Sequence, residues 1–115
     1  MDNNIEAIVN VSNRSYEPFT FNYLEFGLDD TPDTDLTPGF EPTYNFINSH
    51  LLEGRNVLVH CMAGMSRSVS YVIYYYIKKG WSFAEAIAHI RMVRPIAAPN
   101  PGFRKQLIKV ALFSQ

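Results

Sequence analysis

Cys61 is the single cysteine of the chain, and it opens the run His60-Cys61-Met62-Ala63-Gly64-Met65-Ser66-Arg67-Ser68. Small residues follow an apolar stretch there and lead into a helical pattern. A strand-to-helix loop of this make-up turns successive backbone N–H groups toward one point, and the helix dipole adds about half a positive charge at the same place. Phosphate is the natural guest, lined by the backbone of Met62, Ala63, Gly64, Met65 and Ser66. Arg67 adds a planar fork for two phosphate oxygens, where a lysine would supply only a point charge. The same donors should hold Cys61 as a thiolate. A thiolate beside a phosphoryl group can attack phosphorus, and a cysteinyl-phosphate then divides one hard displacement into two easier ones. The plainer reading, a buried structural cysteine before an ordinary turn, leaves the gathering of Gly, Arg and two Ser at this junction unexplained.

Displacement at phosphorus also needs an acid, because a Tyr, Ser or Thr oxygen leaves poorly unless it is protonated as the bond breaks. Asp29, Asp30, Asp33 and Asp35 are the candidates. Crowding of like charges should raise the pKa of one of them, while Asp35 reads as a residue that caps the next helix or orders the loop. His60 taken alone is a structural histidine. His50 and His89 have no metal-ligand spacing with each other or with His60, and one cysteine allows neither an internal disulfide nor a cysteine-built zinc site. No metal site is expected.

The elements that must position these groups can be read from the pattern. Ile5 to Val11 is a short β-branched run and reads as a buried strand, and Thr20 to Phe26 is a second, aromatic-rich one. Asp29 to Pro42 begins as loop and leads into a helix capped near Thr37, with Pro38 at its first position, running to about Leu52 and ending at Gly54. Asn56 to His60 is a third strand, apolar on both faces as inside a parallel sheet. Ser66 to Lys79 is a helix apolar almost all round, stopped at Gly80, with its tyrosines in the core. Ser82 to Val93 opens with the capping box Ser82-Phe83-Ala84-Glu85 and places Ala86, Ile87, Ile90 and Val93 on one face. Pro95, Pro99 and Pro101 enforce an irregular link to a last helix, about Gly102 to Phe113. This order predicts an α/β fold with a mainly parallel central sheet flanked by helices.

The chain has 115 residues, 47% of them apolar, with no repeat and no linker, so residues 1 to 115 read as a single domain. Net charge is −1, divided between an acidic N-terminal half and a basic C-terminal half. The basic residues are interspersed among apolar ones, which argues against nucleic-acid binding and for a positive field suited to phosphorylated partners. No apolar stretch is long enough to span a membrane and no signal peptide follows Met1, so a cytoplasmic or nuclear location is expected.

The string at His60 to Ser68 matches HCxxGxxR[ST], and so resembles the signature of the cysteine-based protein phosphatases. Ala63-Gly64 and Ser66-Arg67-Ser68 look like the dual-specificity branch. The resemblance covers almost the whole chain: Ile8-Val9-Asn10-Val11 resembles the strand before the family's variable loop, Asp30 through Asp35-Leu36-Thr37 its acid-loop segment, and Arg94-Pro95 with Pro99-Asn100, Phe103 and Gln106-Leu107 its C-terminal pattern. The resemblance implies Cys61 as nucleophile, Arg67 as phosphate clamp, Ser68 as the hydroxyl that stabilises the departing thiolate and Asp30 as general acid, with Asp29 the alternative. It also implies that His60 orders the loop, that no metal or other cofactor is needed and that the substrate is a phosphoprotein.

The chain departs from the family at its start, where the β-hairpin that usually precedes the strand resembling Ile5 to Val11 has no counterpart; relative to the family it reads as N-terminally truncated. Val57 to Val59 would then lie at an open sheet edge, which invites self-association. Met62, Ala63 and Met65 bring no extra basic group to the loop. That favours a peptide-borne monophosphate over a phosphoinositide, glucan or RNA 5′-phosphate, the other substrates of this loop scaffold. A phosphopeptide-binding module without turnover would need neither Cys61 nor Asp30. A serine-hydrolase elbow would need a closing Gly that Gly64-Met65-Ser66-Arg67-Ser68 lacks.

Overall fold

The computed structural model describes residues 5–14, 22–61 and 66–113. Among these residues three strands, β1 (Ile5–Asn10), β2 (Tyr23–Glu25) and β3 (Asn56–His60), form a parallel sheet in the order β2-β1-β3. Four helices among the same residues accompany it: α1 (Thr37–Leu52), α2 (Arg67–Lys78), α3 (Phe83–Val93) and α4 (Pro101–Phe113). Ala7, Ile8, Val9 and Val11 of the central strand are buried, as a strand covered on both faces and flanked on both edges must be. Asn10 is buried as well, and its side chain is satisfied by the turn that follows: Nδ2 donates to Arg14 O at 2.8 Å and Oδ1 accepts from Ser12 N–H at 3.0 Å and Ser12 Oγ at 2.7 Å. Among the described residues, no helix is long and apolar enough to cross a membrane.

Helix α2 is the centre of the molecule. It packs on α1, α3, α4 and β3 and buries Val69, Tyr71, Ile73, Tyr74 and Ile77, which accounts for its apolar girth. Two of its tyrosines are core residues with satisfied hydroxyls, Tyr71 donating to Leu36 O at 2.9 Å and Tyr74 donating to Glu41, whereas Tyr75 and Tyr76 are only half-buried against that core. Burial holds the phenols of Tyr71 and Tyr74 well above their usual pKa, and the bond from Tyr74 holds Glu41 below the carboxylate range. Gly39 lets α1 approach this helix, since a Cβ there would sit 2.6 Å from Tyr71 Oη.

Several expectations shift in detail. The second strand is shorter than Thr20 to Phe26, keeping only Tyr23–Glu25; Thr20 and Phe21 lie outside the described residues. Thr37 is not the cap of α1: it is already helical, Leu36 holds the cap position without a side-chain bond, and Asp35 Oδ1 accepts from Thr37 N–H at 3.0 Å and Oγ1 at 2.7 Å. Helix α2 starts one residue after Ser66 and ends one before Lys79, and α4 starts at Pro101. The capping box of α3 is formed with both bonds, at 3.1 and 2.9 Å. Val93 is 86% exposed rather than on the buried face, because it ends α3 beyond the turns that pack on α2. Among the described residues β3 lies at the edge of the sheet, as the departure from the family pattern implies and contrary to its apolar make-up: nothing described pairs with its outer side, and Asn56 and Leu58 are exposed.

Candidate active site

The loop that leaves β3 enters α2 through Ser66, and this junction sets Cys61 against the first turn of the helix. Cys61 Sγ lies 3.3 Å from Ser68 Oγ, and Ser68 N–H points at the sulfur from 3.4 Å. With a thiol the sulfur donates to the hydroxyl; once the proton has left, the hydroxyl turns its own proton to the sulfur. Two donors from one residue, at the positive end of a helix, thus favour negative charge on Sγ. His60, just before, is partly buried, and this desolvation pulls its imidazole below the ordinary value, opposed by a hydrogen bond to the Cys61 backbone. This burial favours the neutral imidazole.

Arg67, the first residue of α2, is 8% exposed. Nη1 donates to Leu28 O at 2.8 Å, whereas Nε is buried and has no hydrogen-bond partner among the described residues. A buried cationic donor left unpaired is costly. An oxyanion bound in front of the helix would satisfy it. Met62, Ala63, Gly64 and Met65, the expected phosphate-loop lining, lie outside the described residues, so the structure reports on the two ends of the loop, Cys61 and Ser66 to Ser68.

The acidic segment lies across the same end of the sheet. Asp30 Oδ1 accepts from Asn100 Nδ2 at 2.8 Å, and Asn100 N–H donates to Ser66 Oγ at 2.9 Å, so one residue couples Asp30 to the residue that caps α2. Asp29 Oδ1 accepts instead from Asn13 Nδ2 at 2.9 Å, which directs it toward the turn after β1. Asp35 is held below the usual carboxylate range by its bonds from Thr37. That is the behaviour of a loop-ordering residue and unsuited to an acid. The structure thus gathers Cys61, Arg67 and Ser68 at one helix start and ties Asp30 to it through Ser66. Asn100 and Gln106 stand in the sequence only as part of the C-terminal pattern, with no local signal of the bonds they make to Asp30 and to the loop before α1.

Residues 1–111 match the family described as the dual specificity phosphatase catalytic domain. The chain belongs to the dual specificity phosphatase family. It is 45% identical over 86 residues to mouse dual specificity protein phosphatase 15, covering 74% of this chain and 37% of that protein. It is 39% identical over 107 residues to Arabidopsis thaliana dual specificity protein phosphatase 1, covering 90% of this chain and 54% of that one. The chain therefore spans about half the length of these curated relatives, or less. Among solved structures, the crystal structure of DUSP15 superposes with a TM-score of 0.88 at 36% identity, covering 96% of this chain and 73% of that one. The α/β fold with its parallel sheet is thus the fold of dual specificity phosphatases.

Proposed function

We propose that residues 1 to 115 form one catalytic domain that hydrolyses phosphotyrosine and phosphoserine or phosphothreonine in proteins through a cysteinyl-phosphate. In this reading Arg67 and the loop from Met62 to Ser66 bind the phosphate. The Cys61 thiolate attacks phosphorus, an S–P bond forms and the P–O bond to the substrate breaks. Asp30 gives its proton to the leaving oxygen. Asp30, now a carboxylate, takes a proton from the water that cleaves the S–P bond, and the Ser68 hydroxyl stabilises the departing Cys61 thiolate by a hydrogen bond while keeping its own proton. The observation that carries the reading is Arg67 Nε, a buried cationic donor without a partner among the described residues, one residue from the hydroxyl that faces Cys61. Its test is turnover in EDTA, comparing phosphotyrosine and phosphothreonine peptides with a phosphoinositide and a 5′-phosphorylated RNA. Hydrolysis of the peptides in chelator, at rates well above the polyanionic substrates, is expected. The reverse ranking would move the substrate out of the protein class.

The finer reading of partners is a second copy of this chain, with no nucleic-acid partner, in a cytoplasmic or nuclear setting. In a parallel ladder each residue turns its N–H and C=O the same way. His60 O accepts from Val11 N–H at 3.0 Å, so Asn56, Leu58 and His60 face β1 while Val57 and Val59 turn outward. Two copies of β3 paired antiparallel about Leu58 would match Val57 to Val59 of the other copy and satisfy these groups mutually. No Lys or Pro interrupts Asn56–His60 to discourage such pairing. Sedimentation equilibrium at micromolar concentration should find a dimer that Leu58→Lys dissociates. A monomeric native chain would contradict this reading.

A further inference from the structure

The acid-loop segment from Gly27 to Leu36 has no regular secondary structure, yet a catalytic acid must be held to within a fraction of an ångström of its target. We infer that α4 supplies that rigidity: Gln106 and Gly102 are positioning residues for the acid loop and hence for Asp30. The inference rests on the reading of Asp30 as general acid.

Gln106 uses both ends of one amide. Its Oε1 accepts from Leu36 N–H and its Nε2 donates to Thr34 O, each at 2.8 Å. A neutral side chain with one acceptor and one donor fits this pair; a carboxylate or an ammonium would repel or abandon one of the two groups. One helical turn earlier on the same face, Gly102 meets the loop directly: a Cβ there would lie 2.0 Å from Pro32 O and 2.6 Å from Pro32 Cα. Residues four apart share one face of a helix, so a single face of α4 fixes the loop at Pro32 and again at Thr34 and Leu36. Between these points the loop closes on itself, with Thr34 N–H bonded to Thr31 O at 3.1 Å and the two threonine hydroxyls 2.9 Å apart. At the far end Leu36 is fully buried. Asp30 is therefore two residues from a seated carbonyl, and its carboxyl meets Asn100 just before the start of the same helix. Neither Gln106 nor Gly102 belongs to the phosphate site, so their loss should leave nucleophile and phosphate binding intact.

An alanine at Gly102 would push Pro32 O outward by about 1 Å or more to reach ordinary contact, and a misplacement of that size can cost about 10²-fold when it displaces a reacting group. Gln106→Leu keeps the bulk and removes both bonds. The test is turnover across aryl phosphates of graded leaving-group pKa in Gly102→Ala, Gln106→Leu, Asp30→Asn and the double variant Asp30→Asn/Gln106→Leu, with thermal melts and the alkylation rate of Cys61 as controls. Both α4 variants should lose about 10- to 100-fold on phosphotyrosine and less than about 3-fold on the most activated aryl phosphate. Cys61 alkylation should stay unchanged, and Gln106→Leu should add nothing in the Asp30→Asn background. Equal loss on all substrates, or none on any, in a folded Gln106→Leu would overturn the inference. A leaving-group response absent from Asp30→Asn itself would overturn the acid assignment and this inference with it. A response present in Asp30→Asn and absent from both α4 variants would overturn the inference alone.

Discussion

Cys61→Ser is expected to abolish turnover while phosphate binding persists. The substitution exchanges one atom, leaves the donors of Ser68 and Arg67 in place, and replaces a thiolate with a hydroxyl that stays protonated at neutral pH. Loss of a covalent nucleophile costs about 10⁴-fold or more. Tungstate or vanadate should still bind the variant, since the anion is held by N–H groups and guanidinium. Retained binding together with lost turnover separates nucleophile from cradle. A serine variant that hydrolyses phosphotyrosine at the native rate would show that the sulfur is not the attacking atom.

Asp30→Asn carries the second large effect. An amide can keep the geometry but has no proton to give, so the loss should follow the leaving group: about 10²- to 10⁴-fold on phosphotyrosine, the range of a general acid, and little on an activated aryl phosphate. Asp29→Asn should do much less, because Asp29 is turned to Asn13, whereas Asp30 is coupled through Asn100 to Ser66. If steady-state kinetics placed the leaving-group-dependent loss on Asp29, the acid would move by one residue and Asn13 would replace Asn100 as its neighbour.

What could be read in advance follows the range of the interactions. The junction from β3 through Cys61 to α2 is local: an apolar strand, small residues and an amphipathic start lie within a dozen positions, so the placement of Cys61 and Arg67 at the helix start was legible. The capping box at Ser82 was legible for the same reason, both bonds spanning three residues. Thr37 misled because Thr before Pro looks like a cap, whereas the fold uses Asp35 one step outside and closes Leu36 with an amide seventy residues away. The same separation hides Gly102 against Pro32. Nothing local in Pro101-Gly102-Phe103 tells that its empty side of the backbone faces a carbonyl. The apolar character of Asn56–His60 pointed to an interior strand, because composition cannot tell a strand paired on both sides from one paired on one, whereas the departure from the family pattern pointed to an open edge. The sheet order settles that for the described residues.

The central claim is that phosphate passes through the sulfur of Cys61. Acid quench of the native domain during turnover of a phosphotyrosine peptide, followed by proteolysis and mass mapping, reads that step directly. The account predicts one phosphoryl group on the fragment that carries Cys61, present only while substrate remains and absent from Cys61→Ser. Full-rate product release with no adduct on that fragment, or turnover that survives complete alkylation of Cys61, would contradict it.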